Sequence, residues 1–155
     1  MDDTLQQFVT GLSIASILLL VALGLSIIYG AMGIINLAHG EFVMLGAYTA
    51  WALQTELQMG LLASLVPIFI LVALFGWLVE HFVLRFLYAR PLDTILATWG
   101  IGVMLQQAVR LLAGGELRYV EMPVALSHSI DVVGVSVPVY RLFLFAAALA
   151  LFALT

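Results

Sequence analysis

From Thr4 to Ala38 the chain carries no charged residue. Wound as a single helix at about 1.5 Å per residue, this run would measure about 50 Å, well beyond the roughly 30 Å of hydrocarbon in a bilayer. Something must break it. Gly30, Gly33 and Asn36 are the available breakers, and they place an interrupted or re-entrant element around Gly30–Glu41. The stretch ahead of the break, Leu12–Tyr29, is long enough to cross by itself. It does not read as a cleaved signal peptide, because the chain starts Met-Asp-Asp and the apolar run continues too far.

Other uncharged stretches follow. Leu57–Val79 is a second segment of full spanning length, with Gly60 at its start and Pro67 in its early turns, where a kink is expected. Thr94–Val109 is uncharged but carries two Thr, two Gly and two Gln, the composition of a span packed inside a bundle and not turned to lipid. Between the first two spans, Phe42–Leu53 is marginal alone; joined to the preceding residues, Ala31–Leu53 is long enough if Asn36, His39 and Glu41 sit in the membrane or at its edge. Leu142–Thr155 is apolar to its last residue but shorter than the ~20 residues of a crossing helix. The chain is therefore expected to stop inside a helix, as the front part of a longer protein would. Composition agrees with this pattern: 65% of residues are hydrophobic and 9% charged, against about 45–50% apolar and about 25% charged in soluble domains.

The expected fold class is all-α, a polytopic transmembrane helix bundle with about five membrane segments, one of them interrupted near Gly30–Glu41. Residues 114–140 form an extracytoplasmic connection. Within it, Ile130–Val132 and Val135–Val137 alternate about Val133-Gly134, which predicts a small extracytoplasmic β-hairpin. Arginine counts on the two sides are close, so they do not decide orientation; the acidic N-terminus favours an outside start, with Arg85 and Arg90 cytoplasmic. The five basic residues are all arginines scattered between Arg85 and Arg141, and the net charge is -4, so nucleic acid is not an expected partner. With no cysteine, thiol chemistry and cysteine metal sites are excluded.

One constellation looks chemical. Asn36-Leu-Ala-His-Gly-Glu41 sets an amide, an imidazole and a carboxylate within six residues, between apolar flanks. A charge at mid-membrane costs about 2.5–3.5 kcal/mol on insertion scales, which makes an intramembrane carboxylate a candidate functional group. The plainer alternative is an interfacial turn in which Glu41 sits near the positive end of the next helix. No metal site is expected, since His39 and Glu41 are two apart and no second His or Cys lies near. No nucleophile arrangement and no enzyme motif is present. His81 and His128 read as interfacial or solvated, and Tyr48, Trp51 and Trp99 as belt or core residues.

The stretch Gly33–Tyr48 (GIINLAHGEFVMLGAY) resembles the N-terminal signature of the permease subunits of branched-chain amino acid ATP-binding-cassette importers. Arg90–Arg110 and Val137–Phe143 look more like the urea-type permease of that family. The resemblance extends over essentially all of the chain but only about the first half of a typical member; the half expected to dock on the ATPases is not in it. It implies a transport subunit of the bacterial inner membrane with no cofactor. The implied partners are a second permease, two cytoplasmic ATPases that hydrolyse the ATP, an extracytoplasmic solute-binding protein and the lipid bilayer. The family motif maps onto Asn36, His39, Gly40 and Glu41, with Gly40 permitting the backbone turn and the polar groups facing the substrate pathway. Urea is neutral, so an amide such as Asn36 and a hydroxyl such as Thr98 suit it without charge pairing. An amino acid needs charged or helix-end partners. The alternatives are a passive self-assembling channel, which normally uses two such interrupted loops, and a nonfunctional truncated permease. If Glu41 serves transport, Glu41→Gln lowers uptake more than membrane insertion; equal loss of both, by uptake assay and membrane immunoblot, returns it to the capping role.

Overall fold

The computed structural model describes residues 2–123, 127–132 and 135–154. Among the described residues there are five α-helices: α1 (Asp2–Met32), α2 (His39–Leu57), α3 (Leu61–Phe82), α4 (Pro91–Ala113) and α5 (Val139–Leu154). An antiparallel hairpin of β1 (Ser129–Val132) and β2 (Val135–Pro138) precedes α5. This is the helical membrane bundle expected from the sequence. Three segments, Thr4–Met32, Leu61–Phe86 and Pro91–Ala113, are long and apolar enough to cross a membrane. The 19-residue α2 carries acidic residues near both ends, and the 16-residue α5 is shorter than a full crossing.

Boundaries differ from the sequence reading where local chemistry decides. Leu57 closes α2 instead of opening the next span, because Gln58 turns left-handed (φ 52°) and the Met59 N–H donates to the Leu53 carbonyl at 3.2 Å. Gly60 then caps α3, its carbonyl accepting the Ser64 N–H at 3.0 Å. The helix runs through Pro67 to Phe82, with His81 in its last turn. There the His81 ring stacks 5.0 Å from Trp77. Pro91 opens α4 at a position where its missing N–H costs nothing, and the buried Thr94 hydroxyl donates to the carbonyls of Leu87 (2.8 Å) and Arg90 (3.1 Å).

The described residues fall into two compact units, one from the N-terminus to Ile27 together with Met122 onward, the other Ile28–Glu121. In the first, Arg141 Nη1 donates to Thr10 Oγ1 at 3.1 Å, tying α5 to α1. The Ser13 and Ser16 hydroxyls donate to carbonyls one turn back, so these two polar groups are satisfied within α1. The hairpin pairs Ser129 with Pro138 through Val132 with Val135, the two strands expected from the alternation; Val133 and Gly134, about which the sequence alternates, lie outside the described residues.

In the second unit α2 packs on α3 through Phe42, whose ring lies 5.7 Å from that of Phe75 and rests against Gly76. The buried face of α4 is Thr94, Thr98, Ile101 and Gly102, a helical stripe of small and hydroxyl-bearing residues. Its other side exposes Leu96, Met104, Leu111 and Leu112, the surface a lipid-facing helix presents. The residues after α4 fold over the end of α2: the Gln54 side chain exchanges two hydrogen bonds with the Glu121 backbone (3.0 and 2.8 Å), and the Arg118 guanidinium lies 4.6 Å over the Trp51 ring.

Candidate functional site: the helix break and its seat on α4

The uncharged run breaks at Gly33. Its φ of +67° is a conformation that L side chains rarely adopt, and its N–H closes α1 by donating to the Tyr29 carbonyl at 2.8 Å. The backbone turn assigned to Gly40 by resemblance is thus made at Gly33, while Gly40 lies in the first turn of α2. Between the two helices Asn36 restarts the fold. Its Oδ1 accepts the Ala38 N–H at 3.0 Å and its carbonyl accepts the His39 N–H at 3.3 Å, a side-chain-mimicked turn that leads directly into α2.

The break is seated on α4. The Leu37 N–H, which no helix partner serves, donates to Thr98 Oγ1 at 3.2 Å, and the Thr98 hydroxyl donates onward to the Ile95 carbonyl at 3.0 Å. Thr98 is 1% exposed. Its hydroxyl, read from sequence as available to a solute, is engaged inside the protein and positions the break. One turn along, Gly102 lets α2 come close: a β-carbon there would stand 3.3 Å from Glu41 Cδ and 3.6 Å from Ala38 Cα. A further turn along, Gln106 Nε2 donates to Glu41 Oε1 at 2.6 Å. Glu41 sits in the first turn of α2, where the helix dipole favours its charge, and it also bonds across to α4. Its role is therefore tertiary as well as electrostatic.

The other half of the motif faces α3. Asn36 and His39 line a cavity of about 380 Å³ together with Glu80 and apolar walls that include Ile28, Met32, Val72 and Val79. Asn36–Glu41 is thus divided by the start of α2, with Asn36 and His39 on the cavity and Glu41 on α4. Glu80 Oε1 accepts the Tyr88 hydroxyl at 2.9 Å. Burial, then that hydrogen bond and the carboxylate's charge, push the Tyr88 phenol up to about 12. Its protonated form is favoured by folding, so the bond persists through the physiological range and is lost only as pH rises through about 12.

From the sequence Gly102 and Gln106 read only as packing residues of their span, and Glu80 does not stand out at all. The spacing of Thr98, Gly102 and Gln106, each four apart, marks one face of α4 and was legible in principle. Glu80 is the first charge after the uncharged run ending at Val79, and only the packing places it on the same cavity as Asn36 and His39.

Residues 7–155 match the family model described as branched-chain amino acid transport system / permease component. Among curated proteins the chain is similar to the high-affinity branched-chain amino acid transport system permease protein BraD of Pseudomonas aeruginosa, 37% identical over 116 residues covering 69% of this chain and 38% of that protein. It is also similar to the permease protein LivH of the corresponding system of Escherichia coli K12, 31% identical over 128 residues, 77% of this chain and 41% of the relative. LivH of Salmonella typhimurium is 30% identical over the same length. The chain spans about two-fifths of the length of these relatives. No solved structure matches.

Thr98→Val should lower the stability of the detergent-purified protein by about 1 kcal/mol, the cost of leaving the part-buried Leu37 N–H without its acceptor, whereas Thr98→Ser stays near wild type. Thermal melting checks this; a Val variant no worse than the Ser variant contradicts the assigned role.

Proposed function

The chain belongs to the branched-chain amino acid transport permease family, and from that premise we propose that it is a membrane-spanning subunit of an ATP-binding-cassette importer, forming part of the translocation pathway for branched-chain amino acids. It is a multi-pass protein of the bacterial inner membrane, with three segments long and apolar enough to cross. It is a transport subunit and not an enzyme; ATP hydrolysis falls to partner subunits. Its partners are a second permease, two cytoplasmic ATPases and an extracytoplasmic solute-binding protein.

The observation that carries this reading is the family match over residues 7–155, which contains the interrupted helix pair and its seat on α4. Asn36, His39, Gly40, Glu41 and Thr98 form the pathway element in this reading. Glu41 and Thr98 hold the break on α4, and Asn36 and His39 turn to the cavity against α3. The names of the relatives support an amino acid as the solute. Urea is the second reading, supported by the likeness of Arg90–Arg110 and Val137–Phe143 to urea-type permeases and by the scarcity of charge in the spans.

A clean deletion should abolish ATP-dependent uptake of radiolabelled leucine, and the tagged chain should co-purify with a second permease and an ATPase. Loss of urea uptake with leucine uptake intact would move the assignment to urea. Normal uptake of both, or downhill flux through the purified chain alone in liposomes, would overturn the importer reading.

A further inference from the structure

The cavity bounded by the break, α2 and α3 has the chemistry of a small-solute site. Its volume, about 380 Å³, falls in the range of about 300–1,000 Å³ typical of small-molecule pockets. Most of its wall is aliphatic or aromatic, with Ile28, Met32, Phe42, Val72 and Val79 contributing, and Asn36, His39 and Glu80 are its polar members. A mainly apolar wall with a few polar residues is a composition typical of small-molecule sites.

The polar members are fixed in ways that leave them useful. Asn36 commits Oδ1 to the Ala38 N–H, so what it brings to the cavity is the donor end of its amide, Nδ2. Glu80 takes the Tyr88 hydroxyl on Oε1, which orients the carboxylate while Oε2 remains as an acceptor. A donor amide suits a carboxylate or carbonyl oxygen, and a carboxylate suits an ammonium group. The aliphatic wall suits a branched hydrocarbon side chain, which urea does not have.

Resting on the permease reading above, we propose that this cavity is a binding station for a zwitterionic aliphatic amino acid, with Glu80 holding the ammonium, Asn36 the carboxylate, and Val72, Val79 and Phe42 the side chain. Tyr88 is a positioning residue that acts through Glu80. The site is separate from the Glu41–Gln106 contact, which faces α4, so the motif splits into a structural half and a solute-facing half.

The test uses photo-leucine, the diazirine analogue of leucine, in membranes from cells carrying the complete transporter. On illumination it should label peptides containing Phe42 and Val72–Val79. Excess leucine should abolish labelling, whereas 4-methylpentanoate, which lacks the amine, should not. Glu80→Gln should lower labelling about tenfold, as expected for one lost hydrogen bond to a charged group, with chain abundance unchanged by immunoblot. Val72→Phe, which fills the cavity without touching Glu80, should also lower it and guards against a folding defect confined to the first variant. Labelling confined to other peptides, labelling undiminished in both variants at normal abundance, or competition by urea as strong as by leucine would overturn the proposal. Leucine uptake by the unaltered transporter, measured in parallel, separates failure of the site from failure of the permease reading.

Discussion

A polypeptide that stops being helical in an apolar phase uncovers N–H and C=O groups that lipid cannot satisfy, each at a cost of several kcal/mol. The run from Thr4 to Ala38 is too long for one crossing and has to break, so the architecture depends on how the groups at that break are satisfied. Gly33 ends α1 with a bond back to Tyr29, Asn36 supplies an acceptor for Ala38, and Thr98 supplies one for Leu37. Two of these three solutions are local. The third comes from α4, sixty-one residues away in sequence, and it makes the break a tertiary feature.

Once Thr98 fixes the break, the remaining contacts on that face of α4 follow from helical geometry. Gly102 lies one turn on and clears space for the Glu41 carboxyl; Gln106 lies another turn on and donates to it. The carboxylate is held by the dipole of its own helix and by an amide from its neighbour, two modest contributions that together replace much of the hydration it gives up. The same seating turns Asn36 and His39 away from α4 and toward α3. One short segment thus separates its bonds to α4 from the groups that line the cavity against α3.

Much of this was legible in the sequence, for physical reasons. Charge-free length and helix breakers report directly on solvation, so the spans, the break and the hairpin strands could be read from residue order alone. Thr94, Thr98 and Gly102 marked α4 as a packed helix because small and hydroxyl-bearing side chains are poor lipid-facing choices. What could not be read was which side of α2 each motif residue would take, since His39 and Glu41 are only two residues apart and a helix places such neighbours on different faces. Residue order offers Gly30, Gly33 and Asn36 as breakers and the resemblance offers Gly40; the backbone decides, since Gly33 takes φ +67° and Gly40 is helical. Glu80 could not be singled out in the sequence because it joins Asn36 and His39 only through packing, on a cavity that separate segments of the chain enclose.

The central claim is that the start of α2 sits on the Thr98–Gly102–Gln106 face of α4, and the absence of native cysteine makes it directly measurable. In native membranes, the pair Glu41→Cys and Gln106→Cys should cross-link rapidly with a short bifunctional thiol reagent. The pair Glu41→Cys and Gln107→Cys, which moves the second thiol to an exposed position around the helix, should react far more slowly. Equal rates for the two pairs, or no cross-link in either, would contradict the account.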